Sequence, residues 1–153
     1  ALTDLKAIKA ACDELGLTLV EGQRTFEWWG RYMGDSQLPA GTTANQLGKC
    51  THAIKVPGTS WEIGVVAKQV DGKTVYTLQC DYFGSRGAPI VTAVGGTWHQ
   101  GCEGRMATGV TFHRFIQAYG VAKATAEAKA KGWFTQRVNQ TDGSVKLVVT
   151  GMR

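Results

Sequence analysis

The chain predicts an α+β fold: an antiparallel sheet of about five to seven strands with two helices packed on one face. Three observations predict it. Two stretches with helical spacing, residues 3–15 and 111–131, each end at a glycine that runs straight into a β-rich segment. Between them, WEIGVVAKQV and KTVYTLQCDY flank Asp71-Gly72, the strongest short-range hairpin signal, because both central positions of a type I′ turn need positive φ. A second Asp-Gly pair, Asp142-Gly143, closes another hairpin near the end. The element order is therefore α-β-(β-meander)-α-β-β.

In the first helix Leu5, Ile8, Cys12 and Leu15 form one stripe, with Thr3 as N-cap and Gly16 as the left-handed stop. LTLVE at 17–21 follows as a strand. Residues 22–33 (GQRTFEWWGRYM) are dense in aromatics, and both faces of an extended chain would be apolar. That reads as a strand buried on both sides. The competing reading is an aromatic surface that stacks a ligand or anchors a partner, since Trp, Tyr and Arg dominate binding hot spots.

From residue 34 to 50 the composition turns to Gly, Pro, Ser, Thr and Asn, a loop with one helical turn after Thr42 or Thr43. HAIKV at 52–56 is a short strand ended by Pro57-Gly58. In the central hairpin a two-residue turn faces Val70 with Lys73, and further out Ala67 with Tyr76, Val65 with Leu78, Ile63 with Cys80 and Trp61 with Tyr82 all lie on one apolar face. The other face carries Glu62, Gly64, Val66 and Lys68 opposite Asp81, Gln79, Thr77 and Val75, and it is mostly polar.

Residues 84–110 form a second irregular region, with glycine at 84, 87, 95, 96, 101, 104 and 109. A long glycine-rich excursion in a compact domain is often a functional loop, and a mobile surface loop is the plainer alternative. The second helix puts Phe112, Phe115, Ile116, Tyr119, Ala122 and Ala126 on its apolar stripe and stops at Gly132. In the closing hairpin, Trp133–Gln140 with Ser144–Met152, Phe134 and Val138 should share a face with Val145, Leu147 and Val149.

A length of 153 residues fits one domain with excursions at 34–50 and 84–110. No apolar run reaches the roughly 18–20 residues that span a bilayer. Ala1-Leu2-Thr3-Asp4 lacks the layout of a secretory signal, which points to the cytoplasm, and an initial Ala is what removal of an initiator Met leaves. Net charge is +5, but the 17 Lys and Arg are scattered, so the bias toward a polyanionic partner is slight. Four irregularly spaced Cys, two on predicted core faces, read as reduced thiols rather than a disulfide framework.

Four constellations bear on chemistry. Cys50-x-His52 with His99-x-x-Cys102 supplies the donor set of tetrahedral zinc, although the spacing is not that of a usual knuckle. Cys102 or Cys50 beside His99 or His52 would make a nucleophile pair if the fold brought base and thiol together. Among the carboxylates Asp81, Glu62 and Glu103, the first two are cross-strand neighbours, and like charges there call for a cation such as Arg86 or for water. Arg24, Phe26, Trp28, Arg31 and Tyr32 interleave cations with rings, as single-stranded nucleic acid binding requires. Gly95-Gly96 lacks the ending of a P-loop, and His113 and Arg114 read as a solvated face.

The N-terminal TDLKAIKAACDELGLTLVE, the central HAIKVPGTSWEIGVVAKQVDGKTVYTLQCDYFG and the C-terminal FIQAYGVAKATAEAKAKGWFTQRVNQTDGSVKLVV resemble the family called domain of unknown function 1257. The likeness covers roughly two-thirds of the chain. Its most specific pieces are the Tyr119-centred helix leading into Lys131-Gly132 and the closing DGSVKLVV. That family includes a small plastid and cyanobacterial reading frame and phage-encoded relatives, and the extra material around 24–50 and 84–110 resembles the phage type. The resemblance implies a fold and a phage or cyanobacterial setting, and it carries no catalytic residues. The expected function is a non-enzymatic binding module working through Phe26, Trp28, Trp29, Arg31 and Tyr32 together with Trp98, His99 and Arg105. Its partner would be a host or virion protein or a second copy, in the host cytoplasm or the virion. The alternatives are a cytosolic metal protein or enzyme using Cys50, His52, His99 and Cys102, and a single-stranded nucleic-acid binder.

Overall fold

The computed structural model describes residues 1–34, 37–38, 41–102 and 104–151. Helix α1 (Leu5–Glu14) is capped by Asp4, whose Oδ1 accepts from the N–H groups of Lys6 at 2.9 Å and Ala7 at 3.3 Å. Thr3, the expected cap, is occupied elsewhere: its hydroxyl accepts from Lys123 Nζ at 3.0 Å, and the N–H groups of Thr3 and Asp4 donate to the Tyr119 hydroxyl at 2.9 and 3.0 Å. Gly16, at φ 72°, turns the chain into β1 (Thr18–Glu21).

Strands β2 (His52–Lys55), β3 (Glu62–Val70) and β4 (Lys73–Gln79) complete an antiparallel sheet of order β1-β2-β3-β4. The central hairpin has the expected register, with Val70 opposite Lys73, Ala67 opposite Tyr76 and Val65 opposite Leu78. Asp71 and Gly72 both take positive φ, 50° and 75°, as a type I′ turn demands. The ladder ends at Gly64 opposite Gln79, so the outermost expected pairs, Ile63 with Cys80 and Trp61 with Tyr82, do not form.

The sheet stops at four strands, and the glycine-rich stretch beyond it is folded. It contains α2 (Gly84–Val94) and a hairpin of β5 (Gly96–Gly101) and β6 (Gly104–Val110). Helix α3 (His113–Ala130) leads to a last hairpin, β7 (Phe134–Asn139) with β8 (Val145–Thr150). The described chain is α+β with three helices and eight strands in antiparallel sheets of four, two and two. Glycines at 84 and 87 and Pro89 mask α2 in the sequence, yet Gly87, Ile90, Val91 and Val94 make a buried stripe. Gly87 is required sterically, because a Cβ there would overlap the backbone of Tyr82.

The core joins α1, α2, α3 and the apolar face of the sheet; Ile8, Cys12, Ile54, Ile63, Val65, Ile90, Val94 and Phe115 are fully buried. Helix α3 turns Phe115, Ala118 and Tyr119 inward and packs on α1. Ile116, expected on that stripe, is 53% exposed, and Ala126 also faces solvent. Among the described residues no helix is long and apolar enough to cross a membrane.

The closing hairpin is shifted by one residue from the expected register. The Gln140 N–H donates to Ser144 O at 2.8 Å, leaving Thr141-Asp142-Gly143 as a three-residue loop with Gly143 at φ 86°. Asp142 fixes that loop by accepting from Ser144 N at 2.9 Å and Ser144 Oγ at 2.6 Å. Phe134 therefore pairs with Thr150 and Val138 with Lys146, while Val145, Leu147 and Val149 lie on the opposite face. The expected grouping of Phe134 and Val138 with those three is wrong for this reason. An Arg137–Glu14 ion pair ties the hairpin to α1.

Candidate functional site

Residues 22–33 do not form the strand that their aromatic content suggests; a single bridge from Thr25 to Lys49 is their share of β structure. The segment adds no strand to the four-stranded sheet. It crosses the sheet instead, on the face expected to be polar. Where the β3–β4 ladder ends, the Glu62 N–H donates to Glu27 O at 2.8 Å. The Glu62 carboxylate answers by accepting from Glu27 N at 3.0 Å and from Gln23 Nε2 at 2.9 and 3.1 Å. Phe26 lies on Gly64, where a Cβ would overlap its ring, and is buried as a result. Glu62 and Gln79 end up 6% and 8% exposed, so the sheet is covered on both faces at this end.

The far side of the segment bounds a groove of about 1190 Å³. Its lining includes Trp28, Trp29, Arg31 and Tyr32 of the segment, Tyr82, Phe83 and the first turn of α2 with Arg86, and Phe26, Trp61, Gln79 and Cys80. Asp81 ties the two stretches together, its Oδ1 accepting from Phe83 N at 3.0 Å and its Oδ2 from Trp29 N at 3.4 Å. Beyond these braces the rings are open: Trp29 is 55% and Phe83 72% exposed. Arg31 and Arg86 are exposed and have no ion pair among the described residues. Helix α2 begins in this lining without a side-chain cap.

The ladder ends before Glu62 and Asp81, so the expected cross-strand pair does not form; Glu62 accepts from Glu27 N and Gln23 Nε2, and Asp81 from Trp29 N and Phe83 N. Glu103, the third candidate carboxylate, lies outside the described residues. Trp98, His99 and Arg105 do not join the groove. They sit on the β5–β6 hairpin, where Arg105 stacks 4.2 Å above the Trp98 ring and His99 pairs with Met106. Gly95 serves packing rather than phosphate: a Cβ there would overlap the His113 ring. His113 and Arg114 are exposed, as a solvated face requires, and also bond Thr111 Oγ1 at 2.6 Å and Thr92 O at 2.8 Å.

The zinc set is not assembled: among the described residues no three His, Cys, Asp or Glu side chains gather as a metal site. Cys50 Sγ donates to Gln23 O at 3.1 Å, and His52 Nδ1 accepts from Gly22 N at 2.9 Å. Burial, with help from Glu62, pushes the Cys50 thiol up to about 11. Burial followed by Asp81 pushes Cys80 up to about 12, and burial followed by Asp13 does the same to Cys12. A raised thiol pKa means less thiolate at neutral pH, the opposite of an activated nucleophile. One fast thiol is expected with Ellman's reagent at pH 8, the exposed Cys102, with the half-buried Cys50 and Cys80 slower because their thiols are raised and Cys12 reacting only on unfolding. Two or more fast thiols in the native protein would contradict this placement.

The stretch at 82–86 is the part of the groove that sequence reading missed. Its signal was present in Tyr82-Phe83 followed by Gly84-Ser85-Arg86, two rings and a cation at a helix start, but the glycines made the whole stretch read as loop. Compared with protein-family models, with curated proteins and with solved structures, the chain matches none. What the groove does is read from its own geometry.

Proposed function

We propose that the chain is a non-enzymatic binding module whose working surface is the aromatic groove. One observation carries this reading: Trp29 and Phe83 both line the groove and stay open to solvent, while their backbone N–H groups are fixed on one carboxylate, Asp81. Burying large rings is among the strongest drives in folding, so exposed rings on a fixed frame mark a surface shaped for a ligand. Cys80, the thiol in the groove, is raised to about 12, and both oxygens of Asp81 are engaged; binding fits these residues better than nucleophilic or acid–base chemistry. A phage setting is part of this proposal and rests on the sequence resemblance alone, since no family model matches the chain.

Anilinonaphthalene sulfonate, a flat anionic ring system, is a direct probe. The folded protein is expected to bind one dye per chain with a blue-shifted emission, and Trp29→Ala or Phe83→Ala should weaken binding about tenfold, an ordinary hot-spot effect. No binding, or binding indifferent to both substitutions while circular dichroism is unchanged, would overturn the proposal.

A further inference from the structure

Resting on that reading, we infer that the groove takes nucleotides, stacking a base on the ring of Trp29 or Phe83 and holding phosphate with Arg31 and Arg86. The rings suit this ligand because every base has a π-face, so two solvent-facing aromatic side chains form a sequence-tolerant platform. The charges select it over an apolar peptide. Among the described residues Arg31 and Arg86 have no ion pair, and Asp81, the one carboxylate lining the groove, is engaged by the Phe83 and Trp29 amides. Two guanidiniums against the single Asp81 carboxylate leave the described lining of the groove with one positive charge in excess, and the net charge of +5 acts in the same direction. The uncapped first turn of α2 adds amide dipoles beside Arg86. A peptide would use the rings and leave both guanidiniums unpaired.

Size favours more than one unit. A volume of about 1190 Å³ exceeds the roughly 300–1,000 Å³ of a small-molecule pocket. A short single strand with two or three stacked bases fits it better than a lone nucleotide.

The test is quenching of tryptophan fluorescence by a thymidine 12-mer and by thymidine monophosphate, at 50 and 200 mM salt. The 12-mer should quench, and Trp29→Ala should weaken it about tenfold. Two phosphate contacts on a single strand give a slope of about −1.4 in log affinity against log salt, a loss of about sevenfold across that range. Arg86→Gln should halve the slope to about −0.7. Binding of the monophosphate with the same dependence on Trp29 would support a free nucleotide as the source of this chemistry; binding of the 12-mer alone would support a strand. If the naphthalene dye binds and neither nucleotide does, the ligand class is wrong while the groove remains a binding site. The ligand class is equally wrong if a tryptophan-rich peptide displaces the dye and the nucleotides do not. Twelve-mer binding that ignores both Trp29→Ala and Arg86→Gln overturns the inference by placing the strand elsewhere. Failure of dye and nucleotides together takes down the binding-module reading itself.

Discussion

Phe115→Ala is expected to cost about 3–5 kcal/mol, the largest loss of any single truncation in this chain. The side chain is fully buried at the start of α3, in the cluster that includes Ile8, Ile54, Ile63, Ile90 and Val94, so it fills the space where all three helices meet the sheet. Removing it leaves a cavity on every one of those surfaces. For a chain of this length the melting temperature should fall by on the order of 10 °C. Ile116→Ala is the matched control. Its side chain is 53% exposed, and its loss should be under about 1 kcal/mol by urea titration. Equal losses at the two positions would show that α3 is rotated from the orientation described.

Gly64→Val is expected to abolish the groove without unfolding the sheet. Glycine here, in the middle of a strand, costs β propensity and is explained only by what lies above it. Any Cβ at residue 64 meets the Phe26 ring, and valine adds two methyl groups to the collision. Overpacking of this kind costs about 1–3 kcal/mol, and the weaker side of the contact gives way. That side is the aromatic segment, which has no ladder of its own. With Phe26 displaced, Trp28 and Trp29 lose their seat and dye affinity should drop at least about tenfold, while far-UV circular dichroism is retained. Gly120→Ala, on an exposed helix position with nothing within 4 Å, should instead be neutral or stabilising by up to about 1 kcal/mol.

The sequence was most legible where periodicity was long and turns were chemically specific. Helices α1 and α3 and the β3–β4 register followed from 3.6- and 2-residue spacing and from Asp71-Gly72. The closing hairpin shows the limit of that logic. The same Asp-Gly dipeptide closes a two-residue loop at 71–72 and a three-residue loop at 141–143, because Asp142 turns its side chain to Ser144; one residue of difference exchanged the faces of Phe134 and Leu147. Helix α2 was hidden because its stripe is built from glycine and short apolar residues interrupted by Pro89, and packing overrides that poor propensity.

The aromatic segment was half legible. The expected strand buried on both sides does not form, and its two faces end differently. Phe26 meets the sheet and Trp29 meets solvent in the groove. A sequence does not reveal that Gly64 leaves room above β3, where Phe26 seats the segment as a cover. Nor does it show that Trp98, His99 and Arg105 fall on a separate hairpin, with Tyr82, Phe83 and Arg86 lining the groove in their place.

Everything proposed for the groove depends on Phe26 resting on Gly64. Nuclear Overhauser contacts between the Phe26 ring protons and the Gly64 α-protons measure this directly. Strong cross-peaks are expected, together with a ring-current displacement of those α-protons from ordinary strand values. A Phe26 ring with no contact to Gly64, and a Gly64 signal at its ordinary position, would contradict the placement of the segment and with it the groove.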